Sequence, residues 1–332
     1  MEENALRCMK TMAYFPDQPT KNLNQATYNS QHLWSFVPLL IKTDFMTVQQ
    51  NRHTTDAASD TGKVWFITGS SRGFGRVWTE AALKRGDKVA ATARNPESIA
   101  DLKEKYGSNV LTLALDVTQP EQAKSAVETS YAHFGRLDIV LNNAGYPLIG
   151  TIEEASLDDI RALYETNILG SVSVIQAALP LLRRQGKGHI LGTSSGLGHL
   201  THPLIGYYCS SKWAFEAIHE SLAMEVKQFG INVTIIEPGA YATEFGSQAP
   251  LKGANSLPVY DDLRNLVIES IGGMEKGNPH ATPDAIFKAV DAAEPPLRLS
   301  LGRYNLPEIR KAYFNRLKLW EEWEAVSNAA QG

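Results

Sequence analysis

Four short strings stand in a fixed order along this chain: TGSSRGFG from Thr68 to Gly75, NNAG from Asn142 to Gly145, a serine at 195, and YCSSK from Tyr208 to Lys212. A glycine-rich turn constrains little by itself, because 25 of the 332 residues are glycine and chance matches are common. Four parts in one order restrict the fold far more.

From Lys63 onward, short apolar runs alternate with amphipathic segments, as in a parallel sheet covered by helices on both faces. The runs predict strands at Val64–Thr68, Lys88–Ala93, Val110–Val117, Leu137–Asn142, His189–Thr193, Asn232–Glu237 and Leu297–Leu301. The gaps predict helices near 74–85, 97–106, 120–134, 156–184, 206–229, 283–293 and 305–324. Right-handed crossovers then give the strand order 3-2-1-4-5-6-7, a doubly wound parallel α/β sheet of the Rossmann type. Such sheets bind dinucleotides in the crevice at the carboxyl ends of their strands, and every string falls at a strand's carboxyl end or just beyond.

No repeat or low-complexity tract interrupts residues 63–330, which read as one domain. The segment Ser247–His280 is its least regular part, with Gly and Pro scattered through it; it reads equally as a flap over a substrate or as a surface excursion. Residues 1–62, rich in Asn, Gln and Thr without sustained periodicity, read as a disordered or loosely attached extension. Met46 stands shortly before the periodic region as an alternative start of translation. The apolar run Leu33–Ile41 contains Ser35 and Pro38 and is about half the length of a membrane span. Glu2 and Glu3 fit neither a secretory leader nor an organelle transit peptide.

A net charge of -4 and a pI near 6.1 provide no basic stripe for a phosphate backbone, which argues against nucleic acid and for a small-molecule partner. Two cysteines far apart, Cys8 and Cys209, make no disulfide framework, so a reducing, cytoplasmic setting is expected.

In the first string, Gly69 allows the tight turn, Gly73 lets backbone approach a pyrophosphate, and Gly75 permits close packing of the next helix, whose N-terminus faces the phosphates. Thr68, Ser71, Arg72 and Phe74 complete this cofactor turn. Its spacing, Gly-x-x-x-Gly-x-Gly, departs from G-x-G-x-x-G and resembles that of the short-chain dehydrogenase/reductase superfamily. The resemblance covers roughly residues 63–245 by motif.

The resemblance implies a nicotinamide cofactor. Relatives using NAD carry an acid at the end of the second strand for the ribose hydroxyl. Here that place holds Ala93, followed by Arg94; with Arg72 this offers two guanidinium groups to a 2'-phosphate, so NADP(H) is expected over NAD(H). By the same resemblance Asp116 and Val117 contact the adenine, Asn143, Ala144 and Gly145 form the turn beside the ribose, and Pro238, Gly239 and Thr243 in PGAYAT meet the nicotinamide carboxamide.

Tyr208 and Lys212 are four apart and share one helix face. A phenol with a pKa near 10 is a poor proton shuttle at neutral pH unless a neighbouring positive charge stabilises its phenolate, and Lys212 supplies one. Tyr207 has Ser211 as its fourth neighbour and cannot play this part. Ser195, 13 residues before Tyr208, has the family's spacing for the serine that bonds the substrate oxygen, and Ser194 fits less well. Asn167 in TNILG resembles the fourth catalytic position, which in the family holds a water connected to the lysine. The implied reaction is hydride transfer between cofactor and a carbonyl or alcohol carbon, with Tyr208 as acid and base. The contrasting reading is a cofactor-sensing protein without turnover.

Ser195, Tyr146, His202 and Tyr241 are weaker substrate-binding candidates, with Pro147 and His199 beside them; two histidines at this spacing make no metal site. The pocket's apolar and aromatic character points to a hydrophobic ketone or secondary alcohol. Cys209 reads as a core filler, and Trp320 with Trp323 as part of an amphipathic terminal helix. The helices at 156–184 and 206–229 carry more apolar residues than one sheet face covers, which points to a homodimer or homotetramer.

Overall fold

The computed structural model describes residues 62–244 and 256–332. The expectations for the N-terminal extension, its apolar run and Met46 lie outside these residues, as does the part of Ser247–His280 before residue 256.

Seven parallel strands form one sheet in the order β3-β2-β1-β4-β5-β6-β7, as the crossover argument requires. They are β1 (Val64–Ile67), β2 (Lys88–Ala93), β3 (Val110–Ala114), β4 (Ile139–Asn142), β5 (Gly188–Thr193), β6 (Ile231–Pro238) and β7 (Arg298–Leu301). β3 is shorter than expected because β2 gives out: Leu115 still donates to the Ala93 carbonyl at 2.9 Å, and beyond it the chain leaves the sheet.

The continuous apolar runs follow from burial on both faces. Side chains alternate across a strand, so Val64 and Phe66 enter one core layer while Trp65 and Ile67 enter the other. The first layer lies under helices α3 (Pro120–Phe134) and α5 (Gly170–Gln185), through Val127, Val174, Ala178 and Leu182. The second lies under α1 (Gly73–Arg85) and α8 (Pro283–Asp291), through Trp78, Leu83, Ile286 and Val290. Each buried side chain of this size contributes about 1.5–3 kcal/mol.

The helix expected over 156–184 is divided. α4 (Leu157–Tyr164), opened by the Ser156 side chain on the Asp159 N–H, passes into a π turn over Glu165–Leu169 before α5 begins. α6 (Gly206–Val226) follows β5. The described part of Ser247–His280 is more regular than its composition suggested. Pro258 opens and Gly272 closes a helical stretch whose main element is α7 (Asp261–Gly272), with Asp261 and Asp262 favourably placed in its first turn. The terminal helices are α9 (Asn305–Glu322) and α10 (Glu324–Ala329). Among the described residues, no helix is long and apolar enough to cross a membrane.

Candidate active site

The glycine turn leaves β1 with Gly69 at φ +71 and reaches α1 with Gly73 at φ +55, both in the left-handed region open to glycine. A Cβ on Gly75 would overlap the Gly69 carbonyl oxygen and the Asn143 amide, so the helix start packs flush on the turn. Above Gly73, by contrast, the first side-chain atom is Thr243 Cβ, 3.9 Å from where a Cβ would stand. The first N–H groups of an α-helix have no partner within it, and such a start beside an open glycine suits a phosphate group.

Thr68 ties the turn to NNAG. Its hydroxyl accepts from the N–H groups of Asn143 (2.9 Å) and Ala144 (3.0 Å), and the Asn143 side chain donates back to the Thr68 and Gly69 carbonyls at 3.0 and 3.3 Å. Ser70, overlooked in the sequence reading, fastens the turn to β2 through its N–H on the Thr92 carbonyl at 2.8 Å. Phe74 stacks on Trp78 and meets Tyr241 edge-on, with centroids 4.9 and 5.2 Å apart. Tyr241 also packs against Gly277 and Gly302, which places its ring beside the glycine turn.

Ala93 is buried and Arg94 exposed at the end of β2, and Arg72 is exposed in the glycine turn. Asp116 folds into a local turn, accepting from the Thr118 N–H at 3.0 Å and hydroxyl at 2.8 Å, while Val117 is buried against Gly170. Past β6, the Gly239 N–H binds the Leu301 carbonyl at 2.9 Å and the Thr243 N–H binds that of Tyr241 at 2.9 Å, which turns the Pro238 segment back over Gly73.

Tyr208 and Lys212 are both buried on α6. The Ser195 hydroxyl bonds the Tyr208 phenol; burial raises the phenol above its ordinary pKa, and this bond opposes the rise. The Lys212 ammonium donates to the Thr193 carbonyl at 2.8 Å and lies 5.7 Å from the centre of the Tyr208 ring. Burial lowers its pKa to about 8, with the Glu216 carboxylate opposing. Ser195 Oγ also accepts from the Leu197 N–H at 3.1 Å. Ser194 is buried against Gly198.

Asn167 sits in the π turn, the wide turn presenting its amide to the Tyr146 backbone. Oδ1 accepts from the Tyr146 N–H at 3.1 Å, and Nδ2 donates to the Tyr146 carbonyl at 3.0 Å and to Ser211 Oγ at 3.2 Å. Gly145 stands between this amide and Lys212: a Cβ there would lie 3.1 Å from Asn167 Oδ1 and 3.8 Å from Lys212 Nζ. The sequence-predicted tetrad and the turn beside it are therefore one cluster.

His202 is exposed and lines a cleft of about 400 Å³ with Ile152, Pro203, Leu204, Tyr260 and Leu263. Leu204 is buried at φ +64, an uncommon backbone state for leucine, and its carbonyl receives the Gly150 N–H at 2.7 Å. Tyr146 is half-buried, and its phenol, raised by burial, bonds the Thr166 hydroxyl. His199 does not join the cleft. It turns inward to the Glu237 carboxylate (3.0 Å) and the Tyr313 hydroxyl (2.8 Å), a buried structural contact. Cys209 is buried and free, its thiol pKa raised by burial.

The sequence reading missed Glu154, whose carboxylate takes the N–H groups of Thr151 and Leu257 and the Arg264 guanidinium. It also missed the charged group of Glu216, Glu237 and Arg298 around His199. Only Glu216 was signalled, by its place four residues after Lys212.

This sheet and cluster define a nicotinamide-dependent oxidoreductase architecture. The family model described as short chain dehydrogenase matches residues 63–252. Oxidoreductase BOA17 of Botryotinia fuckeliana is 39% identical over 272 residues, 81% of this chain and 99% of that protein. A 3-ketodihydrosphingosine reductase of Bacteroides thetaiotaomicron is 33% identical over 243 residues, 72% of this chain and 88% of that protein. A short-chain dehydrogenase structure from Streptomyces avermitilis superposes with a TM-score of 0.77 at 34% identity, over 82% of this chain and 99% of that one. The chain belongs to the short-chain dehydrogenase family and is an NAD(P)-dependent oxidoreductase.

Proposed function

We propose that the protein interconverts a hydrophobic ketone or aldehyde and its alcohol, using NADP(H). The observation that carries this reading is the buried set of Tyr208, bonded by Ser195, with Lys212 one helical turn on. The open face over Gly73 and the start of α1 fit the cofactor's phosphates, Asn143 to Gly145 the ribose side, and Pro238 to Thr243 the nicotinamide side. When bound, the cofactor supplies or accepts the hydride.

The residues of the chain handle the substrate oxygen. Ser195 hydrogen-bonds it, and Tyr208 donates its phenolic proton to it during reduction or removes the proton during oxidation. The Lys212 ammonium, in surroundings of low polarity, stabilises the phenolate left behind. Asn167 holds the Tyr146 backbone and thereby the floor of the site.

Two features support NADP(H): the place of the ribose-binding acid holds Ala93, and Arg72 in the glycine turn and Arg94 after β2 are both exposed. The apolar side chains of Ile152, Pro203, Leu204 and Leu263 support a hydrophobic substrate, consistent with a relative named for a long-chain keto compound. Further parts of the reading are one catalytic domain over 63–330, a cytoplasmic setting, and a homodimer or homotetramer formed through α4, α5 and α6.

Absorbance-monitored oxidation of NADPH and NADH against a panel of ketones and aldehydes, with Tyr208→Phe alongside, tests the reading. Turnover that prefers NADPH and needs the phenol supports it. Tyrosine-independent turnover overturns the role given to Tyr208, and equal use of NADH overturns the cofactor preference.

A further inference from the structure

One buried cluster of charge is unused by the reaction above. Glu216 extends from α6 one turn beyond Lys212, Glu237 from the end of β6, His199 from the turn after Ser195, and Arg298 from the start of β7. Ligand atoms of His199, Glu216 and Glu237 all lie within 4.8 Å of one another. The cation among them is the guanidinium of Arg298, which donates to Glu216, to Glu237 at 3.1 Å, and to the more exposed Glu220 at 2.7 Å. From α9, Tyr313 reaches the His199 ring at 2.8 Å and Arg316 its carbonyl at 2.8 Å.

Two carboxylates at 4% and 3% exposure are costly unless compensated, and a single guanidinium offsets one of them. The carboxylates therefore outnumber the guanidinium, and burial, with Glu237 adding to it, raises the Glu216 pKa against the opposing Ser194 hydroxyl and Arg298. Lys212 is the buried cation beside Glu216: residues four apart share a helix face, and neither group is screened by solvent. The ammonium's hydrogen bond goes to a neutral carbonyl, that of Thr193. Glycine at 198 makes the arrangement possible, since a Cβ there would stand 2.7 Å from Glu216 Cγ and 2.9 Å from Ser194 Oγ.

We propose that Glu216 is a positioning residue whose charge, fixed by Arg298, sets the proton affinity of Lys212 and through it that of Tyr208. The inference rests on the reading that Tyr208 and Lys212 carry the proton. The direction of the electrostatics agrees, the Glu216 carboxylate raising the Lys212 pKa against burial. The charged and titratable groups facing Glu216 are Lys212 and Glu220 on its own helix, His199, Glu237 and Arg298, with Tyr313 and Arg316 acting through His199; Lys212 itself also faces Tyr208 and the buried His219.

The test titrates Lys212 directly, by NMR of the full chain carrying [ε-13C]lysine, with the signal assigned by Lys212→Arg. Glu216→Gln lowers the titration midpoint by about one pH unit, and Glu220→Gln, which removes the outer partner of Arg298, leaves it in place. If Glu216→Gln does not fold, Glu216→Asp, which withdraws the charge by one methylene, lowers the midpoint by less. No shift in the folded Glu216 variant, or an equal shift in the Glu220 variant, overturns the proposal. This readout needs no substrate, so failure here is distinct from failure of the Tyr208→Phe turnover test.

Discussion

Arg264 closes on the carboxylate of Glu154 at 2.8 Å across 110 residues of sequence. The same carboxylate takes the Leu257 N–H at 2.7 Å, and Tyr260 reaches neighbouring Glu153 at 2.6 Å. Helix α7 is thereby fastened to the loop that lines the cleft with Ile152.

Glu154→Ala is expected to release this attachment. Amide hydrogen exchange over 257–270 then accelerates while that of the central strands is unchanged. Arg264 and the two N–H groups hold the Glu154 pKa below the ordinary carboxylate range. Its contribution is therefore present above the unfolded value near pH 4.3 and is lost as pH falls toward the lowered folded value. The protection of α7 amides in the wild type, relative to their intrinsic exchange at each pH, should fall on acidification below about pH 4 and converge on that of Glu154→Ala.

Lys212 yields a slope of the same sign, at higher pH and from a group whose burial is unfavourable. Its folded pKa of about 8 lies below the unfolded value near 10.4, so between these the unfolded chain binds more protons. This group adds stability as pH rises through that window and opposes folding below it. Urea unfolding from pH 7 to pH 10 should show a positive slope in the difference between wild type and Lys212→Met. A flat difference would refute the lowered pKa.

Gly75→Ala places a methyl group against the Gly69 carbonyl and the Asn143 amide, which are bonded to each other, the amide also donating to the Thr68 carbonyl. Overpacking of this kind costs about 1–3 kcal/mol. The expected result is a lower thermal midpoint together with loss of dinucleotide binding, read by quenching of protein fluorescence.

Arg94→Ala removes one guanidinium from the edge where the 2'-phosphate is expected. A hydrogen bond to a charged group contributes about 1.5–3 kcal/mol, so NADPH binding should weaken roughly tenfold or more, with NADH binding nearly unchanged. Ala93→Asp should reverse the preference. Calorimetric titration of each variant with both cofactors decides.

The parts of this protein that were legible in its sequence are those whose causes are local. β1 and β4 read correctly because burial on two faces leaves continuous apolar runs, and Tyr208 with Lys212 because helix geometry joins residues four apart. Asn167 was identified but its surroundings were not: TNILG carries no mark that separates a π turn from a regular helix. α7 went unread because its terminal Pro258 and Gly272 gave the segment the composition of a loop. The inward contacts of His199 were not legible because nothing near it in sequence reveals Arg298, 99 residues on, or the carboxylates that draw the ring inward.

The π turn over Glu165–Leu169 also affects what the gene can tolerate. Such a turn is a helix carrying one residue too many. Deleting a single codon here would therefore restore regular helical geometry instead of breaking it. The flanking helices would keep nearly their present phase, because the wide turn had absorbed the extra residue, but the turn that presents the Asn167 amide to the Tyr146 backbone would be gone. A change that makes the local structure more ideal is thus predicted to inactivate the protein.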